Sequence, residues 1–151
     1  MSAETVHLFL NPAAGRGRAA RREPRVREIL ERCSRPVEVH RSTAAGDLEE
    51  QVRQTTAAGG KLLVVIGGDG TIHEATNGIM SGGGGASLGV IPSGTGNDFA
   101  KASGISLDWQ QAAQQLAERL GSERDYRRVD VGQMQFVLDE QLSVRTDVKS
   151  A

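Results

Sequence analysis

With 151 residues, 38% of them apolar and 25% charged, the chain has material for one ordinary domain with a sizeable core and is too apolar to be disordered. Its net charge of −1 offers no global case for nucleic-acid binding, and a single cysteine, Cys33, excludes an internal disulfide and any multi-cysteine metal site. No apolar run approaches the roughly 20 residues that span a bilayer, and the N-terminus lacks a basic stretch followed by an apolar one, so a cytoplasmic protein is expected.

Residues 5–10 read as a short strand ended by Asn11-Pro12. A helix follows, with Val26, Ile29, Leu30 and Cys33 at helical spacing, which makes Cys33 a small buried thiol. Pro24 is expected in its first turn, because an interior proline costs about 3 kcal/mol. Residues 36–40 look like a second strand. Asp47 and Glu50, in capping-box spacing, predict the next helix, and Gly59-Gly60 its end. The continuous apolar run 62–66 is expected of a central parallel strand buried on both faces. Ile72, Ala75, Thr76 and Ile79 line one face of a helix that stops at the Gly82-to-Gly85 connection, and a strand follows at 88–91. Asp108 and Gln111 suit the start of another helix, whose stripe is Trp109, Ala112, Ala113, Leu116, Ala117 and Leu120. Residues 126–131 form the last predicted strand.

Strands alternating with helices predict an α/β fold, a three-layer, doubly wound parallel sheet with ligands outside the carboxyl ends of the strands. The four strand ends at that edge are Asn11-Pro12-Ala13-Ala14-Gly15, Ser42-Thr43-Ala44-Ala45-Gly46, Gly67-Gly68-Asp69-Gly70-Thr71 and Gly94-Thr95-Gly96-Asn97-Asp98. All four offer small residues, hydroxyls, amides or carboxylates. Glycines let backbone N–H groups close around an anion, and a neighbouring carboxylate can hold a divalent cation. Gly68, Gly70 and Gly94 are the close-approach positions, Thr71 and Thr95 supply hydroxyls, and Asn11 and Thr43 add contacts to a nucleotide. Asp69 and Asp98 are the candidate Mg²⁺ ligands, through water, with Asp130 a third candidate. Asp69 alternatively caps the helix beginning near Thr71, and Glu74 reads as a first-turn acid.

Other patterns are absent. Gly59-Gly60-Lys61-Leu62 lacks the Ser/Thr and upstream glycine of a Walker loop, no G-x-G-x-x-G follows a strand, and Ser93 lacks a nucleophile elbow's glycines. His7, His40 and His73 have no metal-ligand spacing. Residues 16–35 hold eight arginines against three glutamates, a net +5, leaving −6 elsewhere. From Arg21 onward that run reads as a solvated helix face, with Arg16 and Arg18 as candidate phosphate or membrane contacts.

The chain resembles the catalytic domain of the diacylglycerol kinase family, which includes bacterial lipid kinases and sphingosine kinases and shares a fold with NAD kinases. The resemblance rests on Asn11-Pro12-x-x-Gly15, Thr43-x-x-Gly46, Gly67-Gly68-Asp69-Gly70-Thr71-x-x-Glu74, Pro92-x-Gly94-Thr95-Gly96-Asn97-Asp98-Phe99-Ala100 and Val129-Asp130-Val131-Gly132, in family order over residues 5–132. It implies an ATP site lined by Asn11, Gly15, Thr43, Gly67, Gly68, Asp69, Gly70, Thr71, Ile72, His73, Gly94 and Thr95. Asp69, Asp98 and Asp130 would then organise Mg²⁺ and the transferred phosphate. The implied activity is transfer of the ATP γ-phosphate to a lipid hydroxyl. Residues 1–132 would form the ATP-binding domain, and 133–151 a short tail where the family's second, β-rich domain begins. A phosphotransferase acting on a soluble hydroxyl, or a nucleotide-binding module without chemistry, are the alternatives. The expected partners are a nucleotide and a lipid at the inner membrane surface, with no nucleic acid; a homo-oligomer is left open.

Overall fold

A computed structural model describes residues 3–122, 129–138 and 141–150 of the chain. In chain order the elements are β1 (Val6–Leu10), α1 (Arg18–Glu31), β2 (Val37–Arg41), α2 (Asp47–Ala57), β3 (Leu62–Gly67), α3 (Asp69–Ser81) and β4 (Ser87–Pro92). Two further helices, α4 (Asp98–Ser103) and α5 (Trp109–Gly121), precede the strands β5 (Val129–Leu138) and β6 (Gln141–Ser150).

Strands β1 to β4 form one parallel sheet in the order β2-β1-β3-β4. Side chains alternate across a strand, so each strand feeds two cores. On one face Val6, Leu8, Leu10, Leu62, Val64 and Ile66 meet Val26, Ile29 and Leu30 of α1 and Ala113, Ala117 and Leu120 of α5. On the other, Phe9, Leu63, Val65 and Val90 meet Leu48 and Val52 of α2 and Ile72, Ala75 and Ile79 of α3. The predicted three layers are present. Every residue of β3 is buried, as its unbroken apolar run requires of a strand covered on both sides. Each fully buried large aliphatic contributes about 1.5–3 kcal/mol. Cys33 is a buried free thiol of the first core.

The chain leaves β1 toward β2 and later returns to place β3 on the opposite side of β1. Strand order therefore reverses between β1 and β3, the kind of position at whose carboxyl edge open α/β sheets bind ligands.

Several local expectations are corrected. Helix α1 starts at Arg18, so Pro24 lies inside it rather than in its first turn. Pro24 and Ala20 are both exposed, which leaves the carbonyl that loses its N–H partner facing water. Asp47 is the first residue of α2, not its cap; Gly46, at φ +81°, takes the cap position, and Asp47 accepts instead from the Thr43 N–H at 2.8 Å. Asp108 does cap α5, accepting from the N–H groups of Gln110 and Gln111. The short helix α4 lies where the sequence suggests only a turn. The last predicted strand is partly outside the described residues; its remainder belongs to β5, which pairs antiparallel with β6 in a separate two-stranded sheet.

Candidate nucleotide-phosphate site at the carboxyl edge

All four parallel strands end on the same edge, and contacts between their turns join them into one rim. The β2 and β1 turns face each other across an open cleft of about 390 Å³ lined by Asn11, Pro12, Ala13, Ser42, Thr43, Ala44 and Ala45. Asn11 shapes the β1 turn, its side-chain oxygen accepting from the Ala13 N–H at 3.0 Å. Thr43 is exposed at the cleft mouth, its hydroxyl directed to the Asp47 carboxylate.

The β1 loop then reaches the β4 turn. Gly15 adopts φ +61°, and a Cβ there would overlap the carbonyl oxygen of Ser93. Two arginines reinforce the junction. Arg18 donates from Nε to the Gly15 carbonyl at 2.8 Å, and Arg22 donates to the Pro92 carbonyl at 3.3 Å and the Ser93 hydroxyl at 3.1 Å. The Arg22 guanidinium also lies over the Trp109 ring, 5.3 Å from its centroid. Burial, then the charges of Arg18 and Arg21, lower its pKa from the usual arginine value. The expectation of a solvated arginine face therefore fails at Arg22, and Arg35, which donates to the Leu120 carbonyl, is likewise structural. Nothing in the sequence pattern distinguishes these two from their exposed neighbours. Arg16 is exposed on the loop.

The β4 and β3 turns touch at their glycines: a Cβ on Gly68 would sit 2.9 Å from the Gly94 Cα. Gly67 is buried at the end of β3, and the Thr71 side chain fills the space a Cβ would need there. Asn97 closes the β4 turn, accepting from the Gly94 N–H and donating to the Gly94 carbonyl, each at 3.0 Å.

Asp69 joins the two turns. One carboxylate oxygen accepts from the Asp98 N–H at 2.9 Å and the other from the Phe99 N–H at 3.0 Å. Asp69 thus caps α4 from another element, whereas the sequence suggested a cap for its own helix. Its carboxylate and that of Asp98 flank Gly96, whose Cβ would lie 3.4 Å from Asp69 Oδ2 and 3.6 Å from Asp98 Oδ1. This pair of oxygen donors, next to exposed backbone, fits a hard cation that retains much of its water.

Other predicted residues are distributed as follows. Gly70, Thr95 and Asp98 are exposed on the rim. The Ile72 side chain is buried in the second core, and its N–H is bonded to the Gly68 carbonyl. His73 is half-buried on α3 beside Asn77, 3.2 Å away. Asp130 is exposed on β5, in the second sheet rather than on the parallel-sheet rim.

The helix termini have a common character. Helices α1, α2, α3 and α4, each following one strand of the parallel sheet, carry no side-chain bond from their own cap residues, which are Gly17, Gly46, Gly68 and Asn97. Among the described residues, only α5, which does not follow a strand, has its own capping side chain. The first N–H groups of a helix have no partner within it, so the uncapped α3 terminus offers donors to an anion. Several charge-assisted hydrogen bonds at about 1.5–3 kcal/mol each outweigh the dipole contribution of about 0.3–1 kcal/mol.

Comparison with known proteins agrees with this architecture. The family model described as the diacylglycerol kinase catalytic domain matches residues 5–134. The chain is 33% identical over 128 residues to a diacylglycerol kinase of Bacillus subtilis, covering 84% of this chain and 41% of that protein. It is 48% identical over 63 residues to a Pseudomonas aeruginosa protein named "probable lipid kinase YegS-like", 42% of this chain and 21% of the other. A solved diacylglycerol kinase structure from Bacillus anthracis superimposes with a TM-score of 0.74 at 25% identity, covering 94% of this chain and 48% of that one. The chain spans about two fifths of the length of the curated diacylglycerol kinases it matches. The matched span holds the whole rim, and the chain belongs to the diacylglycerol kinase catalytic-domain family.

Proposed function

We propose that the chain forms the ATP-binding part of a lipid kinase that transfers the γ-phosphate of ATP to a hydroxyl of a diacylglycerol-type lipid. The observation that carries this reading is the rim itself: glycine turns meeting at Gly68 and Gly94 beside an uncapped helix terminus and a carboxylate pair. The cleft between the β1 and β2 turns would take the nucleoside, with Asn11 and Thr43 as polar contacts. The α3 terminus and Thr95 would hold the phosphates, with Gly94 leaving room for their close approach.

Asp69 and Asp98 would hold Mg²⁺ through water, and the cation supplies neutralisation of phosphate charge. Phosphoryl transfer asks a protein chiefly to position and to stabilise charge, and these residues supply both. The lipid would be met at a membrane surface; among the described residues, no helix is long and apolar enough to cross one.

Calorimetric titration with ATP, with and without Mg²⁺, tests the nucleotide site, with one-to-one binding strengthened by the cation expected. Radiolabelled ATP offered with diacylglycerol micelles, NAD or a sugar phosphate tests the acceptor. Indifference to ATP overturns the site, and label on a soluble acceptor alone overturns the lipid assignment.

A further inference from the structure

Away from the rim, the pairing of β1 with β2 assembles a side-chain cluster whose members are 31 and 33 residues apart in the chain. His7 stands opposite Glu38 in the register, and His40 is two positions beyond Glu38 on the same strand. The two-residue period puts all three on the same sheet face. His7 Nδ1 and His40 Nε2 are 3.1 Å apart. Glu38 contributes one oxygen 3.9 Å from the His7 nitrogen and another 3.6 Å from the His40 nitrogen.

We propose that His7, Glu38 and His40 form a binding site for a divalent transition metal of the zinc class. Two imidazole nitrogens on one tetrahedral ion, each bonded at about 2.0–2.1 Å, lie about 3.3 Å apart. The observed separation is within a few tenths of an ångström of that value. The Glu38 carboxylate has to close by only about half an ångström, and its side chain is 60% exposed and free to turn. Three protein ligands leave the fourth position to water, on the open side of the edge strand.

The imidazoles are already oriented. Their side chains are only 16% and 20% exposed, and His40 stacks on the buried Phe9 ring at 4.5 Å between centroids with 14° between planes. An imidazole pair with one carboxylate favours zinc, nickel or copper over magnesium and calcium, which take oxygen donors. His7 is the second residue of β1, three positions before the residue that leads into the rim, or about 10 Å along the strand. This site is therefore distinct from the acidic pair at Asp69 and Asp98 and does not depend on the nucleotide reading. A metal here would tie edge strand β2 to β1 and fix the strand that carries one wall of the cleft.

Titration of the chelator-treated chain with zinc chloride alone, followed by calorimetry, is the test. One equivalent is expected to bind, with excess Mg²⁺ failing to displace it, and the thermal unfolding midpoint is expected to rise. Cobalt(II) is expected to give the visible absorption of a four-coordinate site. Glu38→Gln, at an exposed position that leaves the fold intact, should weaken zinc at least about tenfold, and His40→Ala should abolish stoichiometric binding. His73→Ala, away from the cluster, should change neither. Absence of saturable zinc binding to the unsubstituted chain, or equal affinity in Glu38→Gln, would overturn the proposal whether or not His40→Ala folds. His7 and His40 would then be a hydrogen-bonded pair that holds no metal.

Discussion

Substitution of Asp69 separates two jobs that one carboxylate would perform. Its oxygens accept from the Asp98 and Phe99 N–H groups at 2.9 and 3.0 Å, so Asp69→Ala leaves both donors at the start of α4 without their partner. Loss of a helix cap costs about 0.5–2 kcal/mol, and two bonds to a charged acceptor place this case at about 1–2 kcal/mol. In a domain of this size each kcal/mol moves the thermal midpoint by about 2–4 °C, giving an expected drop of about 2–8 °C. Asp69→Asn keeps one carbonyl oxygen as acceptor and should lose about half as much stability, yet it removes the negative charge that Mg²⁺ requires. Circular-dichroism melts and calorimetry with Mg-ATP are to be run on both variants. The expected pattern is a graded loss of stability, alanine below asparagine, with the Mg²⁺-dependent part of ATP affinity gone from both. An Asp69→Ala protein that melts with the wild type refutes the cap across elements. An Asp69→Asn protein that binds Mg-ATP normally refutes the metal role.

Three other outcomes are expected. Gly15→Ala forces a side chain into the left-handed region at about 1–2 kcal/mol and against the Ser93 carbonyl, so urea unfolding should show a loss of at least about 2 kcal/mol together with weaker ATP binding. Arg22→Met removes the bonds to Pro92 and Ser93 and the contact with Trp109, for an expected loss of about 1–2 kcal/mol in the same assay. Burial, followed by the nearby Glu49 charge, raises the Glu74 pKa above its usual 4.5, with His73 opposing. The folded state then holds this proton more tightly than the unfolded one, so its stabilising contribution is present below pH 4.5 and lost as pH rises through the folded value. Glu74→Gln should abolish that fall, and melts across this range should show the variant gaining on the wild type as pH rises.

The sequence carries the sheet and its rim where local chemistry decides them. The apolar run 62–66 has to be buried on both faces, the stripe from Trp109 to Leu120 has one helical face to cover, and the glycine turns mark the strand ends. Features made by tertiary pairing leave no such trace. Helix α4 has six residues, too few to establish a period, and depends on an acceptor 29 residues earlier. His7 and His40 meet only because β1 and β2 pair in one register, which spacing along the chain cannot express. Arg22 differs from the arginines around it by what α1 happens to face. Pro24 is tolerated inside α1 because that side of the helix meets water.

The ties among the rim turns bear on how quickly a ligand would be captured. Gly15 against Ser93, Arg22 on the β4 turn and Asp69 on α4 brace neighbouring loops before anything binds. Immobilising a free side chain on association costs about 0.5–1.5 kcal/mol, and a braced surface has already incurred most of that loss during folding. Stopped-flow association should therefore show a single phase linear in nucleotide concentration, with no slower rearrangement behind it.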